Sequence, residues 1–226
     1  MENMQPSGPL TREGLKTPRA AAIAGILFSV LLTTTLVLLR ISVPAFSPEM
    51  KEWPASSAGT VVVALNLVPF AGIAFLWFIG VVRDRFGNRE DRFFATVFFG
   101  SGILFLAMFF AASAVAGGMI VVLNAAPKLM IESGAYAFGR AIIAEVLNVF
   151  ALKMAGVFMI STATLAMRTD ILPRWITLPG YVLAALLLLS SRFADWLPLA
   201  FPMWVLVLSL YILIENLRGT EPGVAN

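Results

Sequence analysis

Residues 94–123 read FATVFFGSGILFLAMFFAASAVAGGMIVVL, with no Asp, Glu, Lys or Arg among them. A helix of about 30 residues extends ~45 Å at 1.5 Å per residue, beyond the ~30 Å hydrocarbon thickness of a bilayer. A helix apolar on every face at that length belongs in a membrane. The segment is expected to cross the bilayer and to tilt, kink or emerge from it. Gly117-Gly118 is the expected softening point.

The same pattern recurs on both sides. Apolar blocks cover about residues 20–39, 59–82, 139–166, 175–189 and 198–214. The first stops at Arg40, with Pro44 and Pro48 just beyond. It is too long for the apolar core of a cleaved signal peptide, although Val43-Pro44-Ala45 resembles a weak cleavage site, and it is read as a retained helix. The fifth block is short for a span. Of 226 residues, 59% are hydrophobic and 13% charged, and the mean hydropathy is +0.89. A soluble domain needs roughly a quarter charged residues to cover its surface. The expected fold is therefore all-α, a polytopic transmembrane bundle of six spans. It occupies residues 20–215 as one domain, between a polar arm at 1–19 and a short tail at 216–226.

Six spans place both termini on one side. Of the 16 Lys and Arg, ten fall on that side: Arg12, Lys16, Arg19, Arg83, Arg85, Arg89, Arg92, Arg168, Arg174 and Arg218. Five fall opposite, namely Arg40, Lys51, Lys128, Arg140 and Arg192, and Lys153 lies within a span. The positive-inside rule puts both termini in the cytoplasm. Trp53, Trp175 and Trp196 sit near expected span ends, where amphipathic rings anchor at the interface.

The chain has no His and no Cys. Imidazole and thiolate metal sites, Ser-His-Asp and Cys-His systems, disulfides and thiolate-bound clusters all lack their groups. No phosphate-binding glycine loop with its lysine is present. No cofactor and no metal are expected. The formal charge of +3 gives no footprint for nucleic acid.

In lipid, helices gain little from leucine against leucine, so small residues that admit close backbone approach carry more of the packing. Ala21, Gly25, Ser29 and Thr33 form such a stripe on span one. Ala107, Ala111 and the 112–118 cluster offer one on span three, Ala151 and Ala155 on span four, Gly180 and Ala184 on span five. These stripes serve packing within the chain, or a homodimer seam through span one or span five. Pro69 cannot donate to Leu65 and is expected to kink span two, with Asn66 meeting the freed backbone or lining a polar cavity.

Glu145 and Lys153 lie inside span four. Ionisable groups at that depth must be paired, neutralised or hydrated, and they raise a functional reading. Eight residues of regular helix separate them by about 12 Å and roughly 80°, too far for an ideal direct pair. Asn148 and Asn66 are candidate bridges, and Arg140 can reach toward Glu145 by extending its stem. Glu145, Asn148, Lys153 and Asn66 form the candidate intramembrane polar site. Either Glu145 and Lys153 fix helix register as a pair, or they line a proton, ion or solute pathway.

The connection RDRFGNREDR at 83–92 is dense in charge. With Gly80, the residues Asp84, Arg85, Gly87 and Arg89 resemble the loop signature of the major facilitator transporters, between spans two and three on the cytoplasmic face. The resemblance implies a conformational latch in which Asp84 accepts contacts from neighbouring helix ends and arginines. Asn88 stands where that family has a basic residue, and the family has twelve spans. A second run, RTDILPRWI at 168–176, followed by Leu178, Pro179 and Gly180, is similar to a family of uncharacterised bacterial multispanning proteins. Its members share the Leu-Pro-Arg-Trp turn into the penultimate helix. That resemblance implies a bacterial inner-membrane protein and carries over no catalytic residue or substrate.

The leading expectation is an integral inner-membrane protein without a catalytic centre, acting structurally or through a protein partner that the sequence does not identify. The alternative is a small secondary transporter or channel for a proton-coupled solute or ion. A membrane enzyme acting on isoprenoid or lipid diphosphates lacks the close aspartate pairs that hold magnesium.

Overall fold

The computed structural model describes residues 17–42, 55–86, 92–169, 172–189 and 196–218. Most of the polar arm, Trp53, Arg89 and the last residues of the tail lie outside them. The described chain is helical throughout apart from short turns. It runs as α1 (Thr17–Ser42), α2 (Ala55–Phe86), α3 (Arg92–Ala125), α4 (Pro127–Glu132), α5 (Ala135–Glu145), a π-helical segment (Val146–Ala151), α6 (Leu152–Arg168), α7 (Arg174–Leu189), a 3-10 turn (Leu197–Leu199) and α8 (Ala200–Arg218). No strand occurs among the described residues.

Five stretches are long and apolar enough to cross a membrane: Arg19–Ser42, Ala58–Arg83, Phe93–Ala125, Ala135–Arg168 and Leu197–Arg218. The sixth expected span is α7, an apolar helix of 16 residues, about 24 Å long at 1.5 Å per residue. Its direction still fits the alternation. Thr164 of α6 shares a 2.7 Å hydrogen bond with Tyr181, while Gly156, two turns earlier on α6, lies against Ala184 and Leu188. Trp204 near the start of α8 meets Ile176 and Gly180, and Tyr211 further along α8 meets Trp175. α7 therefore runs antiparallel to both neighbours. The same reasoning makes α1, α2 and α3 antiparallel in succession, through Gly25 with Phe78, Thr35 with Ala64, and Ile79 with Gly102. The start of α1 and the end of α8 lie at one end of the bundle.

At the centre, phenylalanines from five helices pack ring against ring. Phe75 of α2 is the hub, with ring centroids 4.4 Å from Phe28, 5.3 Å from Phe158, 5.5 Å from Phe105 and 5.8 Å from Phe201. Phe105 and Phe201 are themselves 4.8 Å apart. All five are buried. Edge-to-face and tilted contacts at these spacings add to dispersion, which is the main glue available within lipid.

Small residues do their work where large ones interlock. A Cβ on Gly25 would collide with Ser209 Oγ and the Phe78 ring; one on Gly102 would meet Ile79 and Phe158; one on Gly180 would meet the Trp204 indole. Ala21, Gly25 and Ser29 are buried and Thr33 is half-buried, so the stripe on α1 faces α2 and α8 of its own chain. Gly180 and Ala184 on α7 are likewise covered, by α8 and α6. A homodimer through either stripe would first have to displace these helices. On α3 the expectation needs correcting. Ala107 and Ala111 are exposed, and the packed face is Phe98, Gly102, Phe105, Phe109 and Ala112. α3 runs as one helix through Gly117-Gly118 to Ala125.

The turn into the next long helix uses the one described glycine with positive φ. Gly134, at φ 74°, ends α4's turn and caps α5, a left-handed conformation that side-chain-bearing residues rarely take. The Leu-Pro-Arg-Trp turn is also built as its residues suggest. The Pro173 carbonyl accepts from the Ile176 N–H at 3.0 Å, and α7 begins at Arg174. Trp175 stays exposed at its start.

Candidate functional site

At the end of the bundle where α1 stops and α8 begins, the helices part around a cavity of about 320 Å³. Leu32, Leu36, Leu39 and Arg40 of α1 form one wall, and Phe105, Phe109 and Ala116 of α3 another. The third is Arg140, Ile143, Ala144, Leu147, Asn148, Ala151 and Leu152. Trp196, Pro198, Leu199 and Phe201 complete the lining with Val61 of α2. Phe105 and Phe201 belong both to this lining and to the ring cluster around Phe75. They are the floor: beyond them the bundle is packed phenylalanine.

The third wall explains the irregular helix. Its lining residues recur as 143/144, 147/148 and 151/152, in steps of four. An α-helix turns 100° per residue, so a wall spaced by four would rotate by about 40° at each step. Over Val146–Ala151 the helix is π-helical, and Leu152 N–H donates to Leu147 O, five residues back. The wider turn holds back that rotation and keeps Ala144, Asn148 and Leu152 on one side. Such π segments are rare and concentrate at functional sites.

The polar groups on the cavity are few. Arg140 is half-buried; its Nη1 lies 3.3 Å from the Tyr136 hydroxyl, to which it donates, and its guanidinium sits 5.8 Å from that ring's centroid. Tyr136 is in turn buried with Met119, Leu123 and Met130, in a small cluster where α3, α4 and α5 meet. Arg40 is exposed, with its guanidinium 5.7 Å from the centre of the Trp196 ring. Aromatic faces thus steer both cations. Asn148 is half-buried and lines the cavity, and its side-chain amide has no hydrogen-bond partner among the described residues. The rest of the lining is almost wholly apolar.

Of the expected polar site, only Asn148 reaches this cavity. Glu145 and Lys153 are half-buried on the same helical column but do not line it. Lys153 has no ion-pair or hydrogen-bond partner among the described residues, so it does not pair with Glu145, which has an interaction of its own. The π turns between them also replace the regular-helix geometry from which an 80° offset follows. Asn66 is exposed on α2, in a stripe with Val62, Phe70, Ile73 and Trp77, away from the cavity. Asp84 and Arg85 fall in the last turn of α2, which runs on to Phe86; their side chains, and Arg89 entirely, lie outside the description. Arg40 and Trp196 enter the sequence analysis only as a span end and an interface anchor, and the π segment not at all. Arg40 and Arg140 stand a hundred residues apart in the chain, and nothing local links them.

No family model, no curated protein and no solved structure matches this chain.

Proposed function

We propose that the protein is a multi-pass inner-membrane protein of a bacterium that works by binding and carries out no chemistry of its own. The observation that supports this reading is the floor of the cavity. Phe105 and Phe201 close it, and behind them Phe75, Phe28 and Phe158 are buried with rings in contact. Such a site can hold a partner or a ligand, but an ion crossing it would have to pass through close-packed hydrocarbon, at a prohibitive desolvation cost. Both termini face the cytoplasm in this reading, because Arg19, Arg83, Arg168, Arg174 and Arg218 gather at one end of the alternating helices. The cavity then opens on the opposite side.

A second reading, a small secondary transporter, is favoured by one feature, the π segment carrying Asn148. Irregular helix inside a membrane is tolerated where it lines a cavity, and transporters bind substrates at such places. The two readings separate in proteoliposomes on a solid-supported membrane. Binding without transport predicts no Glu145-dependent charge movement in pH or ion jumps, and at most a small, saturating current on ligand addition. A sustained transient in the wild type that disappears in Glu145→Gln would overturn it in favour of transport.

A further inference from the structure

The outer face of α2 carries a polar group that the bundle does not use, whatever the cavity holds. We infer that a second copy of the chain docks on this face, α2 against α2 across a two-fold axis, with the two Asn66 amides hydrogen-bonded to each other.

Three observations converge on that partner. The first is depth. Thr35 Oγ1 reaches the Ala64 carbonyl at 3.5 Å, which sets the two antiparallel helices level there. Asn66 then lies about seven residues, or ~10 Å, inward of Arg40 in the last turn of α1. In the other direction Arg83 is about 25 Å further along α2. An amide at that depth meets hydrocarbon, where no water is at hand to satisfy it.

The second is the missing partner. Polar side chains elsewhere in the spans turn back on their own helix. Ser29 donates to the Gly25 carbonyl at 2.8 Å and Thr162 to that of Phe158 at 2.7 Å. The Asn216 amide does the same to Ile212 at 2.6 Å, so the geometry is open to an asparagine. Asn66 does not take it. Its side chain is exposed and has no hydrogen-bond partner among the described residues. Beside it, the half-buried Leu65 loses the usual donor to its carbonyl, because Pro69 has no N–H.

The third is self-complementarity. A carboxamide donates through two N–H groups and accepts at its oxygen. When two copies face each other, their amide N–H groups meet two amide oxygens and two Leu65 carbonyls, and the pair needs no third molecule. An identical helix supplies this match by symmetry, as an isologous contact. Such side-chain bonds between helices, with apolar packing around them, hold spans together in lipid. Val62, Phe70, Ile73 and Trp77 are exposed on both sides of Asn66 to provide that packing. α1 and α3 hold other faces of α2, at Gly25 and Gly102, so the partner displaces no described helix.

The test uses the full chain, with a fluorescent tag, in liposomes at rising protein-to-lipid ratio. Single-molecule photobleaching counts the copies in each complex. The wild type is expected to pair. Asn66→Val should weaken pairing about tenfold, and Asn66→Gln, which keeps the amide, should retain most of it. The chain has no native cysteine, so single cysteines locate the contact by oxidation in vesicles. Val62→Cys should form a disulfide dimer, whereas Ile23→Cys on α1 and Val182→Cys on α7 should not. All these positions are exposed, and the unfolding temperature of each variant checks the fold. A chain that stays monomeric at the highest ratio overturns the inference. So does pairing that Asn66→Val leaves unchanged, or crosslinking at position 23 or 182 that exceeds that at 62.

Discussion

Around Phe75 five helices interlock ring against ring with nothing between them; around Asn148 helices of the same bundle stand apart and enclose about 320 Å³. Both places are lined mainly by apolar side chains, so composition does not set them apart. Geometry does. The packed region brings α-helices together through glycines, at Gly25, Gly102 and Gly180, each of which lets a large side chain of a neighbour reach its backbone. At the open end a π turn holds one wall at a distance, and cations replace glycines as the distinguishing residues. In the first region side chains satisfy one another. In the second they line an open space.

The largest consequence is for stability. Phe75→Ala removes the hub of the ring cluster and should cost about 3–5 kcal/mol, the usual range for a buried phenylalanine. Leu147→Ala on the half-buried cavity wall should cost far less, because it enlarges a space that already exists. Thermal unfolding of the two variants in the same detergent compares them; equal losses would mean that the cavity is as well packed as the centre.

Next comes Gly25→Leu, which forces α1 away from Ser209 and Phe78. Overpacking of this kind costs about 1–3 kcal/mol, again read as a lower unfolding temperature. Gly118, whose Cβ would meet nothing within 4 Å, should accept leucine with little change.

Smaller still is the effect of Asn148→Leu. Its amide has no partner among the described residues, so removing it should leave stability unchanged or raise it by up to about 1 kcal/mol in the lipid-free protein. A clear loss would reveal a contact that holds the wall together. The smallest expected change is Ser209→Ala. The Ser209 hydroxyl is buried with no hydrogen-bond partner among the described residues, and its deletion should be neutral or gain a few tenths of a kcal/mol.

Much of the fold is legible from hydropathy alone, because charge-free blocks in a chain this apolar have few ways to be satisfied outside a bilayer. The stripe Ala21, Gly25, Ser29 shows on the sequence for the same reason, since a spacing of four is a local property of one helix. The ring cluster does not show. Phe28, Phe75, Phe105, Phe158 and Phe201 come from five different helices, and only the alternating topology brings them to one level. The π segment is equally silent, as VLNVFA reads like any other apolar helix. Asn148 stood out because a polar residue in a span does so by itself. Asn66 stood out equally and is exposed on the far side of α2. Polarity in a span marks a residue without saying which face it takes.

The difference between the two ends can be read directly, since the chain has no native cysteine. Single substitutions Ala144→Cys on the cavity wall, and Ala71→Cys and Ala155→Cys in the packed centre, are probed in oriented vesicles. A membrane-impermeant, water-soluble thiol reagent is applied from each face in turn. A one-ended binding cavity over a sealed centre predicts that Ala144→Cys reacts from one face only, while Ala71→Cys and Ala155→Cys react from neither. Reaction of Ala144→Cys from both faces, or of either central position, would mean that water passes through the phenylalanine layer and that the protein is a conduit.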